Sequence, residues 1–162
     1  MYISGVILQH YICSPLVFKI VAMVVNLSEQ NSLVSVWMRE LRDVQMQTDR
    51  ARFRRNIERI GQVAAYEISK HLLYVDADIQ TPLAPARTKT MQSQPVLATI
   101  LRAGLPLYQG LLSYFDDADS AFIGAYRKHS ADGSFGIDQG YMACPPLAGR
   151  TLILADPMLA TG

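Results

Sequence analysis

The sequence predicts an α/β fold in which a mostly parallel sheet is flanked by helices and extended by a projecting β-hairpin arm. Short apolar runs typical of buried strands occur at 95–101, 121–126 and 151–155. A helical segment separates the first two runs, and an Asp132-Gly133 pair, common in tight hairpins, follows the second. Strands that alternate with helices usually pair in parallel beneath those helices, which indicates this class of fold.

Length and composition fit one globular domain. Half of the 162 residues (50%) are hydrophobic, which is enough for a core at this length. The formal net charge is +1, so no overall field would attract nucleic acid or anionic lipid, and we expect neither partner. Cys13 and Cys144 are too few for a disulfide framework and lack metal-ligand spacing, which is typical of a cytoplasmic protein.

Residues 1–22 differ from the rest because they are largely apolar and contain a single charge, Lys19. A secretory signal would begin with basic residues, and a membrane span would have to bury His10, Pro15 and Lys19 within roughly 20 residues of hydrocarbon. We therefore expect an upstream extension or misplaced start in preference to a membrane anchor, followed by part of a single domain at 23–162.

The clearest helix is predicted in TDRARFRRNIERIGQVAAYEISKHLL, which begins at Thr48. Thr48 or Asp49 can cap its start. Spacings of three and four residues draw one apolar stripe, expected to face the core or a partner subunit, from Phe53, Ile57, Ile60, Ala64, Ile68 and Leu72. Arginines between Arg50 and Arg59 occupy the opposite surface, which is typical of a solvated face, with an effector or nucleic-acid patch as the alternative.

Two further segments complete the chain. Residues 76–94 contain two prolines and no apolar period, so we predict a connecting loop there. Residues 105–115 have a helical pattern, with Pro106 in the first turn, where proline is well tolerated.

The segment ILADPMLATG, at 153–162, has the features of a phosphate-binding loop. Ligands of open parallel sheets bind at the carboxyl ends of the strands, and Asp156 stands at such an end. The Thr161-Gly162 step allows backbone N–H groups to approach an oxyanion closely. Because an acid would favour hydroxyl groups over the phosphate itself, the loop indicates a phosphorylated sugar as the ligand.

Two arginines are predicted at the same edge of the sheet. Arg102 follows the first buried strand and Arg127 follows the second, where guanidinium groups can grip a phosphate or pyrophosphate. The glycine patterns of dinucleotide-binding folds and of P-loop ATPases do not occur, so neither is supported.

These motifs resemble the type I phosphoribosyltransferases, and the uracil branch in particular. The wording Asp-Pro-Met-Leu-Ala-Thr-Gly at 156–162 is similar to that branch's phosphoribosyl pyrophosphate loop, and Ala155 stands where relatives for other bases carry a second acid. ILRAGL at 100–105 and AYRKH at 125–129 also match, as does the long helix. The resemblance extends over 38–162 and implies the type I phosphoribosyltransferase fold.

The resemblance implies a reaction in which uracil and 5-phosphoribosyl 1-pyrophosphate (PRPP) give UMP and pyrophosphate, with magnesium bound through the pyrophosphate. The terminal loop would hold the ribose hydroxyls and 5-phosphate, and two arginines the pyrophosphate. The implied PRPP-binding residues are Arg102, Arg127, Asp156, Pro157, Met158, Leu159, Ala160, Thr161 and Gly162. An oxocarbenium-like transition state needs no covalent nucleophile, and none is assigned.

Members of this family continue past the loop with a hood that pairs with uracil. We therefore expect the chain to be an inactive fragment, incomplete at its C-terminus and without uracil-binding residues. The resemblance also implies a cytoplasmic homodimer and, as in some relatives, a GTP effector. Two alternatives stay open: a transferase for a purine or orotate, and a regulator of this fold that binds nucleotide and RNA, similar to the pyrimidine-operon attenuation proteins.

Overall fold

The computed structural model describes residues 6–9, 22–129 and 135–158. Its helices are α1 (Leu33–Arg42), a short 3-10 helix (Met46–Thr48), α2 (Arg50–Ser69) and α3 (Leu105–Leu112). Its strands are β1 (Val6–Gln9), β2 (Ala22–Val25), β3 (Tyr74–Gln80), β4 (Pro85–Met91), β5 (Val96–Leu101), β6 (Asp119–His129), β7 (Phe135–Ala143) and β8 (Leu152–Ala155).

The principal sheet has the strand order β7-β6-β5-β8. Strand β5 pairs in parallel with both β6 and β8, whereas β7 returns antiparallel to β6. The predicted α/β class, with a mostly parallel sheet and a hairpin, is therefore confirmed. The Asp132-Gly133 pair expected at the hairpin turn lies outside the described residues.

The core lies where α2 and α3 cover one face of this sheet. Its buried residues come from both helices, the segment after α3, and strands β5 and β8: Ala64, Ala65, Ile68, Leu97, Tyr108, Leu111, Phe115, Ile153 and Ala155. A second cluster joins α1 to α2 and includes Ile57 and Ile60. The predicted apolar stripe of α2 is thus confirmed as its packing face.

Helices α2 and α3 meet through two glycines. A Cβ added to Gly110 would lie 2.1 Å from the Glu58 carbonyl oxygen and 2.9 Å from the Gly61 Cα. A Cβ added to Gly61 would lie 2.4 Å from the Leu107 carbonyl oxygen. Because the backbones touch at this crossing, only glycine fits there without moving a helix.

Residues 76–94 are not the loop that the sequence predicted. Strands β3 and β4 pair there as an antiparallel hairpin, with Asp76 opposite Lys89. The Asp76 carboxylate forms ion pairs with Arg87 at 3.3 Å and Lys89 at 3.0 Å. Both faces of this hairpin are largely exposed. Val75, Ala77 and Ile79 alternate with two acids, which is a strand pattern that the prediction of a loop from residue 76 overlooked.

At the N-terminus, β1 pairs antiparallel with β2, and Val6 stands opposite Val25. The expected boundary between residues 22 and 23 falls within β2, and the interpretation of residues 1–22 as an extension stays a prediction. No helix within the described ranges is long and apolar enough to span a membrane.

Replacing Gly110 by alanine tests the contact between the two helices. In an open helix Gly→Ala stabilises by about 1 kcal/mol. Here the added methyl group would meet the α2 backbone, so we expect Gly110→Ala to destabilise by about 1 to 3 kcal/mol in urea unfolding. The neighbouring exposed position gives the control, Gln109→Ala, expected within about 0.5 kcal/mol of the parent. A stabilised Gly110→Ala would contradict the close crossing.

The start of α2 predicts a pH effect. The Asp49 carboxylate accepts hydrogen bonds from the backbone N–H groups of Arg52 and Ala51, each at 3.0 Å. The Arg52 N–H is the main cause that lowers the pKa of Asp49 below its ordinary value of 3.8. Because the folded pKa is lowered, the stabilisation is complete above the unfolded pKa and is lost as the pH falls through the folded pKa.

We expect Asp49→Asn, which keeps an oxygen acceptor for the cap, to remove this part of the pH dependence. The stability difference between the parent and Asp49→Asn should then shrink from about pH 5 to about pH 3, measured by urea unfolding. A constant difference would show that the charge of Asp49 contributes nothing.

Candidate functional site

The candidate site lies at the carboxyl edge of the sheet, where β5 and β8 end side by side. The last paired residues of these strands are Thr99 and Ala155. The chain that follows β5 leads into α3, and the chain that follows β8 leads into the segment 156–158. The parallel pairing therefore brings two predicted site segments, distant in sequence, to neighbouring positions.

Arg102 lies in the tight turn between β5 and α3, and its side chain is exposed. The peptide bond that precedes Arg102 is cis. Gly104 donates its N–H to the Ile100 carbonyl at 3.1 Å, and Leu105 donates to the Arg102 carbonyl at 3.3 Å. Helix α3 begins directly after this turn, so its N-terminal partial positive charge adds to that of the guanidinium.

Asp156 follows β8 directly, and its side chain is exposed. Its Oδ1 accepts the backbone N–H of Met158 at 3.3 Å, which folds the segment into a local turn. Pro157, between them, is buried and anchors the turn. A carboxylate has further acceptor positions, so Asp156 can still accept hydrogen bonds from ligand hydroxyls.

Four of the predicted site residues, Leu159, Ala160, Thr161 and Gly162, lie outside the described residues. Their interpretation as the phosphate-binding part of the loop stays a prediction. The described residues, Asp156 to Met158, fix the position of the acid and of the backbone that leads into 159–162.

Arg127 does not follow the second strand, as the sequence predicted, but lies within β6. The last residue of β5, Leu101, lies opposite Gly124 of β6. Strand β6 then continues to His129. Arg127 is therefore three residues, or about 10 Å, beyond Gly124 in the hairpin arm. The register with β7 shifts between Gly124 and Ala125, and such a bulge bends the strand where the arm leaves the sheet.

The structure thus brings Arg102 and Asp156 to one edge and extends the strand of Arg127 past it. For Arg127 the backbone position is described, but its side chain is not. An exposed cation, a helix N-terminus and an exposed acid suit a ligand that has both anionic groups and hydroxyls.

Sequence reasoning missed two residues behind this edge, Thr99 and Gly104. The Thr99 hydroxyl donates a hydrogen bond to the Ala155 carbonyl oxygen at 3.0 Å, and Gly104 packs against both groups. A polar residue inside the apolar run PVLATIL was the available signal, since buried hydroxyls need partners.

Comparison with known proteins agrees with the motifs. The family model described as uracil phosphoribosyltransferase matches residues 28–162. A uracil phosphoribosyltransferase from Porphyromonas gingivalis is 49% identical over 139 residues, covering 86% of this chain and 64% of the relative. Another from Methanothermobacter thermautotrophicus is 39% identical over 116 residues, covering 70% of this chain and 53% of the relative.

Among solved structures, the AQ2163 protein from Aquifex aeolicus is similar, with a TM-score of 0.66 and 24% sequence identity. The match covers 82% of this chain and 62% of that one, and it supports the fold alone. This chain spans less than two thirds of the length of the relatives it matches. The family match over residues 28–162 and the identities of 49% and 39% show that the chain belongs to the uracil phosphoribosyltransferase family.

Proposed function

We propose that the protein transfers the phosphoribosyl group of PRPP to uracil, forming UMP and pyrophosphate. The observation that carries this proposal is the parallel pairing of β5 with β8, which sets the Arg102 turn beside the Asp156 loop. A single ligand with an anionic leaving group and a polyhydroxylated ring fits such an edge. Family membership supports the same reaction.

In this proposal each described site residue has a separate task. Asp156 accepts hydrogen bonds from the two ribose hydroxyls and thereby orients the sugar. Arg102 and the N-terminus of α3 bind the pyrophosphate and stabilise the charge that it gains as the glycosidic bond breaks. Arg127, from the arm, is proposed as a second contact to pyrophosphate, and residues 159–162 as the cradle of the 5-phosphate.

The family resemblance also implies magnesium. No three His, Cys, Asp or Glu side chains among the described residues lie close enough together to hold a metal ion. In this proposal the cation is held mainly by the oxygens of PRPP, which stays a prediction of the resemblance. When bound, magnesium would neutralise part of the pyrophosphate charge and so favour its departure.

Three further expectations come from the resemblance and extend this proposal. The protein would act in the cytoplasm as a homodimer, and GTP could serve as an effector in relatives of this kind. Uracil-binding residues are not assigned within this chain.

The contacts of the α2 arginines bear on the alternative of an RNA-binding regulator. Arg52 forms an ion pair with Glu40 at 3.6 Å, and Arg55 forms one with Glu58 at 3.4 Å. Because acids lie among these arginines, they reduce the local positive charge of the surface from Arg50 to Arg59 and weaken its attraction for a phosphate backbone. These ion pairs favour the enzyme over the regulator.

The test is the formation of UMP from labelled uracil and PRPP, in the presence of magnesium, by the purified full-length gene product that contains this sequence, because the 162-residue chain by itself is expected to be inactive. We expect UMP from uracil and no nucleotide from orotate or hypoxanthine. Calorimetry with PRPP alone would separate the two parts of the proposal. Absence of both PRPP binding and UMP formation would overturn it, and a preference for another base would correct the substrate.

Replacing Asp156 by asparagine tests its role toward the ribose. Asparagine keeps an oxygen for the Met158 N–H, so the local turn should persist, but hydrogen bonds to a charged acceptor are lost. We expect the KM for PRPP to rise by roughly 10- to 100-fold, since such bonds contribute about 1.5 to 3 kcal/mol. The control is Asp117→Asn, an exposed carboxylate before β6 at the opposite edge of the sheet, which should leave the KM unchanged.

A further inference from the structure

Thr99 is a buried polar residue in the central strand of the sheet. Its exposed fraction is 0%, and its neighbours in β5, Leu97 and Ala98, are apolar and buried. A hydroxyl in such a place is costly unless it is hydrogen-bonded. The Thr99 hydroxyl donates to the carbonyl oxygen of Ala155 at 3.0 Å, across 56 residues of sequence. This hydrogen bond therefore ties β5 to the last residue of β8.

Gly104 packs directly on this hydrogen bond. A Cβ added to Gly104 would lie 2.0 Å from the Thr99 Oγ1, 2.7 Å from the Ala155 oxygen and 3.0 Å from the Ile100 oxygen. No side chain fits in that space, so the absence of a Cβ lets the turn after β5 approach the end of β8. Three segments thus meet at one point: the interior of β5, the start of α3 and the end of β8.

We propose that Thr99 is a positioning residue for PRPP, acting through the hydrogen bond to Ala155 and the contact with Gly104. Asp156 is the residue after Ala155, and Arg102 is two residues before Gly104. Fixing Ala155 and Gly104 against the same hydroxyl sets the separation of the acid and the cation before PRPP arrives. This inference rests on the proposed function, because it assigns both side chains to one ligand.

The physical gain is preorganisation. A loop that is already in its binding conformation loses less conformational entropy when the ligand binds, so affinity rises without a new ligand contact. Valine would fill nearly the same volume as threonine but could not hold the Ala155 carbonyl. The hydroxyl therefore has a role that volume alone does not supply.

The test compares Thr99→Val, which removes the hydroxyl, with Thr99→Ser, which keeps it. The matched control is Ile60→Val, which removes a methyl group from the α1–α2 cluster and has a comparable cost in stability. Amide hydrogen exchange is measured at Asp156, Met158 and residues 102–105. All variants are made in the full-length gene product, and the steady-state KM for PRPP and kcat are measured on the same proteins.

We expect Thr99→Val to speed exchange at both segments and to raise the KM for PRPP by about three- to tenfold, with a smaller change in kcat. Thr99→Ser should restore most of both, and Ile60→Val should change neither. The inference is overturned if Thr99→Val matches Ile60→Val, or if Thr99→Ser fails as fully as Thr99→Val. If Thr99→Val does not fold, Thr99→Ala serves as the hydroxyl-free variant.

The exchange measurement separates this inference from the proposed function. If the parent protein neither binds PRPP nor forms UMP, the proposed function fails, and with it the role of Thr99 toward PRPP. Exchange in the absence of ligand would then still show whether the hydroxyl orders the two segments. If the parent protein is active but exchange and KM are insensitive to Thr99→Val, only the positioning role is lost.

Discussion

Parallel pairing of β5 with its two neighbours is the constraint on which the candidate site depends. Strand β5 is hydrogen-bonded to β6 on one side and to β8 on the other, so all three point their carboxyl ends to one edge. Segments separated by tens of residues thereby become neighbours there. An antiparallel β8 would place Asp156 at the opposite edge, far from Arg102.

The helices hold one side of this edge in place. Helix α3 follows the Arg102 turn, and its position is set by the close crossing with α2 at Gly110 and Gly61. Buried side chains of both helices then pack on β5 and β8. The turn is therefore anchored on the packed core, although Arg102 itself is exposed to solvent. Rigid elements that position exposed polar groups are a common basis of ligand sites.

The chemistry of the edge follows from the charges that this geometry juxtaposes. Arg102 and the N-terminus of α3 favour anions, whereas Asp156 favours hydroxyl donors. Placed side by side, they provide adjacent positions for an anionic group and for hydroxyl groups. The arm formed by β6 and β7 extends past this edge and brings the backbone at Arg127 with it, which a strand ending at the sheet would not do.

Features that depend on residues close together in the sequence could be predicted from the sequence alone. The α2 helix, the parallel strands β5, β6 and β8, and the hairpin of β6 and β7 all have local patterns of apolar spacing or turn residues. The structure chose Asp49 over Thr48 as the cap of α2, and it showed that β8, predicted as a buried strand, alternates exposed and buried residues. The terminal motif, with Ala155 before Asp156, likewise identified the family. Local propensities and sequence motifs can be detected in the linear sequence, so no knowledge of the fold was needed to find them.

Only the tertiary structure decided which of these segments meet. It placed Arg127 within β6, paired β3 with β4 as a hairpin where a loop was predicted, and joined Thr99 to Ala155. The hairpin is held by cross-strand backbone hydrogen bonds and ion pairs, and the apolar residues on one of its faces, such as Val75 and Ile79, stay exposed and are not buried against the core. The contact of Thr99 with Ala155 spans 56 residues, and such a pairing depends on strand order, which local spacing does not encode.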